Sequence, residues 1–342
     1  MSKIQQLFDE KFVLELLEQK VLPLYPKYGG IKKMEIKEYK NMVWEERYHV
    51  VLEFRTDFIK KEGGHENVSI FCSAHSSEPR ENVYVALRYL WDKGFHGEGI
   101  DIPKPLFFSE EFKGIFYEGV QGENLYQYIK CKDFAVIEKM IVQSAKMFAR
   151  LHSLPADEKA NINPINSRIE TSVPGVEAIY QKMFEHYGQD NPYSADLKKM
   201  YDYFISQEEK FLTEKKNLRI IHGDAHSENV IRTGEDTIGL IDFTDLCLGD
   251  FARDLGTFLQ QFEYKMVLKV VDYKKTQEMK NLFMETYLEA RGIELDSNLR
   301  ERIDLYYDWT AIRSAIFLFL KYDNDPSAGE ALFQAVKTKL NI

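Results

Sequence analysis

The sequence predicts an α+β fold in two lobes: a small N-terminal lobe built on one antiparallel β-sheet with one helix, and a larger, mainly helical C-terminal lobe. Three observations carry this. The 342 residues exceed what a single core usually holds. Short β-rich segments dominate up to residue 118. From Phe134 onward the apolar period is helical, interrupted only between Arg219 and Asp250.

Taken in order, residues 3–20 form an opening helix candidate, and residues 34–39, 48–54 and 68–74 read as strands parted by polar turns such as Lys61-Glu62-Gly63-Gly64. Residues 81–93 place Val83, Tyr84, Leu87, Leu90 and Trp91 at helical spacing before the stop at Gly94. Pro103 and Pro105 break the pattern, and residues 106–108 and 114–118 return to strand character. The Gly-Val-Gln-Gly-Glu-Asn run at 119–124 suits a connector, so the division is 1–118, the β-rich lobe, 119–124, a linker between lobes, and 125–342, the helical lobe. In that last lobe Ile137, Met140, Ile141, Phe148 and Leu151 mark the first long helix.

Composition narrows the classes. Apolar residues at 44%, with 20 Tyr and 23 Phe, supply a packed core and exclude a disordered chain. A net charge of −10 with dispersed basic residues disfavours nucleic acid or an anionic membrane as partner, and mildly favours a cationic ligand. Cys72, Cys131 and Cys247 share no CxxC spacing and read as free thiols of a reducing compartment, so a cytoplasmic address is expected. The first six residues show no apolar signal core, and the purest apolar run, 315–320, is too short to span a bilayer.

The chemistry concentrates in Ile221-His222-Gly223-Asp224-Ala225-His226-Ser227-Glu228-Asn229 and in Ile241-Asp242-Phe243. The first has the H-x-D-x-x-x-x-N spacing of a phosphotransferase catalytic loop; the second supplies a metal-binding Asp-Phe pair. Phosphoryl transfer asks for a carboxylate to orient and deprotonate the attacking hydroxyl and for oxygen ligands to hold Mg²⁺ against a triphosphate. Asp224, Asn229 and Asp242 form that set. Folding residues 230–241 into a hairpin about Glu235 and Asp236 would set Asn229 opposite Asp242, close enough to share one ion.

With those residues in view, the chain resembles the aminoglycoside phosphotransferase and choline kinase superfamily, which has a protein-kinase-like fold. The resemblance rests on His222 to Asn229, on Ile241-Asp242-Phe243, and on Gly249-Asp250-Phe251-Ala252-Arg253-Asp254-Leu255. It extends to Ala149-Arg150-Leu151-His152-Ser153-Leu154-Pro155 and covers about residues 45–260. It implies Asp224 as catalytic base, Asn229 and Asp242 as Mg²⁺ ligands, and main-chain groups near Glu118 and Val120 at the adenine of ATP or GTP. The acceptor would be the hydroxyl of a small molecule: an aminoglycoside, sugar, amino alcohol or related metabolite. The residues themselves suggest His226 as a partner that holds the loop's shape, His222 as a further support, Asp250 as the N-cap of the following helix, and Asp254 as a brace for the catalytic hairpin.

Two departures stand out. The third strand, Val68 to His75, carries no lysine to meet the donor phosphates; Cys72 takes the equivalent place, with Glu81 as helix partner and Arg80 or His75 as substitute cations. No G-x-G-x-x-G run joins the first strands. Both keep open a weakly active or non-catalytic binding module on the same fold. A metal-dependent hydrolase using His222, Asp224 and His226 is the remaining reading. For the acceptor site, the cluster Tyr306, Tyr307, Asp308 and Trp309 competes with its reading as ordinary helix core.

Overall fold

The computed structural model describes residues 3–45, 47–78, 80–156, 159, 162–189, 191–212, 218–321 and 326–342. The chain divides into two compact units, one ending at Gln121 and one beginning at Gly122. Among the described residues no helix is long and apolar enough to cross a membrane.

The first unit opens with a short 3-10 turn and helix α1 (Glu10–Lys20). These are two pieces where one helix was expected. Asp9 is the reason: its carboxylate accepts from the Lys11 and Phe12 N–H groups at 2.9 and 3.0 Å and restarts the helix as an N-cap. Strands β1 (Tyr28–Val43), β2 (Tyr48–Lys60) and β3 (His65–His75) follow, then α2 (Glu81–Asp92), a two-residue β4 (Ile100–Asp101), β5 (Lys104–Ser109) and β6 (Gly114–Glu118). All pairings in the five-stranded sheet, ordered β1-β2-β3-β6-β5, are antiparallel. The strands outrun their sequence signals because ladder bonds carry pairing into polar positions that alternation does not mark.

Period-two burial decides which face of this sheet is core. Val68, Ile70, Cys72 and Ala74 of β3 are buried beside Val50, Leu52 and Phe54 of β2, with Leu52 opposite Cys72. Val13 and Leu17 of α1 join the same cluster. Ser69, Phe71 and Ser73 therefore occupy the other face. Cys72 is consequently a core residue, not the stand-in for a phosphate-contacting lysine; burial pushes its thiol pKa up, as befits an inert position. Arg80 and His75 shape the turn after β3 instead: His75 Nδ1 accepts from the Ser77 and Glu78 N–H groups, and Arg80 lies 3.9 Å from Glu78. Glu81 is exposed at the start of α2.

The second unit begins with β7 (Glu123–Asn124), α3 (Leu125–Cys131) and α4 (Phe134–Leu151), and continues through α5 (Val176–Tyr187) and α6 (Ser194–Leu212). Strands β8 (Leu218–Ile221), β9 (Val230–Arg232), β10 (Ile238–Leu240) and β11 (Cys247–Asp250) interrupt the helices, with β8 paired to β11 and β9 lying between β7 and β10. Helices α7 (Ala252–Lys269), α8 (Tyr273–Arg291), α9 (Ser297–Lys321) and α10 (Ser327–Leu340) close the chain. Helix α9 is buried around most of its circumference, including Leu305, Tyr306, Trp309, Ile312 and Phe319, as a central helix must be. Helix α7 can lie directly against it because Gly256 has no side chain: a Cβ there would stand 2.6 Å from the Ile303 carbonyl oxygen.

The hairpin register differs from expectation. Ile238, Gly239 and Leu240 pair with Arg232, Ile231 and Val230, and Ile241 N–H donates to the Asn229 carbonyl at 3.0 Å. Asn229 thus faces Ile241, not Asp242. The turn spans five residues rather than four, because Thr233 and Gly234 N–H both bond the Thr237 carbonyl and the Thr233 hydroxyl meets that of Thr237.

Candidate active site

Between β8 and β9 the loop alternates like a strand. Gly223, Ala225, Ser227 and Asn229 turn inward, while Asp224, His226 and Glu228 stay partly exposed on one side. Helix α7 clamps this loop from below through two consecutive residues. Asp254, fully buried, accepts from His222 N–H at 2.7 Å and Gly223 N–H at 2.9 Å, and contacts His152 Nε2 at 3.1 Å. Arg253, also buried, donates to the Gly223 carbonyl at 3.1 Å and to the Ser172 hydroxyl at 3.0 Å. Burial pushes the Asp254 carboxyl up, but the His152 bond, the neighbouring imidazoles and the backbone N–H groups outweigh it and hold it below the usual carboxylate range.

Gly223 is the residue this clamp requires. Its φ is +83°, and a Cβ would collide with the Asp245 carbonyl oxygen. Gly223→Ala is expected to destabilise the protein by at least about 2 kcal/mol, read as a lower midpoint in urea unfolding, since a strained φ and a fixed carbonyl leave no route for relaxation.

Asp224 stands at the loop's exposed edge with its side chain 38% accessible. Burial of its surroundings pushes its carboxyl up; the His226 hydrogen bond and the electrostatic pull of His226, His222 and Arg313 more than offset this and hold it well below the usual carboxylate range. His226 Nε2 lies 3.2 Å from both Asp224 Oδ2 and Asn229 Nδ2, and its Nδ1 accepts from Glu228 N–H at 3.2 Å. His226 therefore ties the Asp224 carboxylate, the Asn229 amide and the turn into one piece. His222 is wholly buried, with Nε2 at 2.9 Å from the Ile241 carbonyl and Nδ1 accepting from Asp224 N–H at 3.3 Å. Both of its ring nitrogens are thus used inside the fold, which overturns the hydrolase reading; among the described residues no three His, Cys, Asp or Glu side chains converge on a metal position.

Asn229 is buried and donates its amide to the Asp224 carbonyl at 3.0 Å, while no hydrogen bond engages its Oδ1 among the described residues. Asp242 is exposed, and its Oδ1 accepts the Thr244 hydroxyl at 2.7 Å. Its φ of +64° is the left-handed conformation that Asp tolerates better than most side chains. That turn of the backbone carries Asp242 out of the β10 ladder, so the hairpin register does not set its direction. Two hard oxygen donors of this kind fit Mg²⁺. Asp250 is one residue short of its expected place: Phe251 is the N-cap of α7, and Asp250 accepts from Ala252 N–H at 3.0 Å while pairing with buried Arg302 at 2.6 Å.

Beside Asp224 opens a cavity of about 570 Å³ between α3, α7 and α9. Its wall includes Tyr126, Lys265, Thr310, Arg313 and Phe317. None of these carried a signal in the sequence, because they are brought together from three helices. Of the cluster Tyr306, Tyr307, Asp308 and Trp309, one turn earlier on α9, three are buried core, while Tyr307 is half-buried and donates its hydroxyl to Glu263 at 2.8 Å. Glu118 and Val120 belong to the first unit: Glu118 ends β6 and accepts from Tyr25 OH at 2.5 Å, and half-buried Val120 makes no main-chain hydrogen bond among the described residues.

Residues 52–273 match the profile of the phosphotransferase enzyme family. No curated protein sequence is similar enough to count as a relative. Among solved structures, a Plasmodium vivax ethanolamine kinase is 17% identical, with 89% of this chain and 81% of that one covered at a TM-score of 0.54. A spectinomycin phosphotransferase in complex with ADP is 16% identical over 96% and 93% of the two chains, with a TM-score of 0.55. An amicoumacin kinase in complex with AMP-PNP and Ca²⁺ is 17% identical over 94% and 93%, with a TM-score of 0.54. These likenesses show the kinase-like fold. Because the family profile spans more than half of the sequence and includes the segment from His222 to Phe243, the chain belongs to the phosphotransferase enzyme family and is a small-molecule kinase.

Proposed function

We propose that this kinase moves the γ-phosphoryl group of ATP or GTP to a hydroxyl of a small metabolite, with Asp224 as the base that orients and deprotonates it. The observation that carries the reading is the loop from His222 to Asn229: one exposed carboxylate held by His226 at 3.2 Å, on a backbone clamped by buried Asp254 and Arg253. A carboxylate held so low in pKa is a weak proton acceptor. Phosphoryl transfer suits it, because the attacking hydroxyl needs orientation first and gives up its proton late. Asn229 and Asp242 would hold Mg²⁺, which when bound neutralises charge on the donor's phosphates. The free main-chain groups of Val120, with those near Glu118, are suited to the edge of a purine base. Strand β3 offers no lysine on either face, so the donor's phosphates rely on the metal and on cations outside that strand.

Thermal melting with Mg²⁺ and ATP, then GTP, tests the donor assignment. At a hundredfold excess over Kd the wild-type protein gains about 2.7 kcal/mol of apparent stability, read as a raised Tm. Asp242→Ala is expected to lose most of that gain while melting normally without nucleotide. An unshifted wild type with both nucleotides would remove the donor assignment and favour the non-catalytic module.

A further inference from the structure

We infer that the acceptor alcohol carries an anionic group, a carboxylate or a phosphate, and that Arg313 is its anchor in the cavity beside Asp224. The inference rests on the assignment of Asp224 as base and names the substrate class of that same site.

The charges that line the cavity decide it. Two carboxylates face it, Asp224 and Glu228, and both are engaged: Asp224 by His226 Nε2 and Glu228 by Lys265. Lys265 is in turn held between Glu228 and the Tyr126 ring, 5.3 Å from its centroid. Arg313 is different. Its guanidinium lies over the Trp309 ring at 4.8 Å and spends one donor on the Val173 carbonyl at 3.2 Å. No carboxylate lies within ion-pair distance of it among the described residues; Asp224 and Asp245 act on it only at longer range. A planar fork with five donors, fixed by stacking and facing a cavity, is matched to a two-oxygen anion.

The rest of the wall fits the remainder of such a molecule. The Thr257 and Thr310 hydroxyls, 3.0 Å apart, and Gln261, bonded to Ser314 at 2.7 Å, offer partners for further hydroxyls, while Phe317 gives an apolar side. A polycationic acceptor would find no uncommitted carboxylate here and would meet Arg313 directly. The protein's overall charge of −10 does not bear on this choice, because surface charges beyond about 8 Å are screened at physiological salt whereas Arg313 is in the cavity wall.

The test is steady-state ADP release by wild type, Arg313→Gln and Arg313→Lys with Mg²⁺ and ATP. Acceptor probes are hydroxycarboxylates, sugar phosphates, uncharged sugars and polyols, and kanamycin. Binding of the same probes to Asp224→Asn is measured by calorimetry, which requires no turnover. The expected result is an anionic probe as best acceptor, whose KM rises at least about tenfold in Arg313→Gln while kcat holds, with partial recovery in Arg313→Lys. Which anionic series responds separates carboxylate from phosphate. A preference for uncharged probes or kanamycin, a KM unmoved in Arg313→Gln, or no binding by any anionic probe overturns the inference. Wild-type turnover by Asp224→Asn is a separate failure: it removes the base assignment and leaves the Arg313 comparison to be read by itself.

Discussion

Asp224→Asn is expected to lower kcat by about 10²- to 10⁴-fold while leaving Tm nearly unchanged. The asparagine keeps an oxygen for His226 and disturbs no buried partner, since the side chain lies at the exposed edge of the loop. It cannot accept the acceptor's proton. The wild-type carboxyl is held well below the usual range, so it remains ionised down to and through that range; a fall in kcat/KM at mildly acidic pH must come from another group. Steady-state rates between pH 5 and 8, with melting curves at each pH, check both points. A variant retaining more than about a tenth of wild-type kcat would sink the assignment.

Asp254→Ala is expected to be the most damaging substitution for stability, by about 3 to 5 kcal/mol. It strands two buried N–H donors, those of His222 and Gly223, and leaves His152 without its carboxylate. The catalytic loop would lose its register before the rest of the helical unit unfolds, so activity should vanish at temperatures where helicity persists. The sign with pH follows from the depressed folded pKa. The stabilisation from Asp254 is present above the unfolded carboxylate value and is lost as pH falls below it, so the wild type approaches the variant's stability in acid. Urea midpoints from pH 3 to 7 would show the two curves converging downward; parallel curves would refute the account.

The loop from His222 to Asn229 was legible in the sequence because its motif is local. His222, Asp224, Asn229 and Asp242 sit within 21 positions of one another, and their spacing is dictated by one loop and one hairpin. The pairing within that hairpin differs by one residue from the one its sequence suggests, since the choice between a four- and a five-residue turn lies in hydrogen bonds around Thr237 that composition does not report. Cys72 was misplaced for a related reason. Alternation along β3 shows that two faces exist, but only the burial of Ile70, Cys72 and Leu52 in one cluster with Val13 and Leu17 of α1 identifies the core side.

Hydrophobic period and motif spacing were enough for the class of fold, the order of most elements and the loop from His222 to Asn229, because each depends on neighbours along the chain. The clamp by Arg253 and Asp254, the collision that makes Gly223 obligatory, and the cavity that joins Arg313 to Asp224 belong to the tertiary structure. Each brings together residues between 22 and 102 positions apart, so no local pattern along the chain reports them.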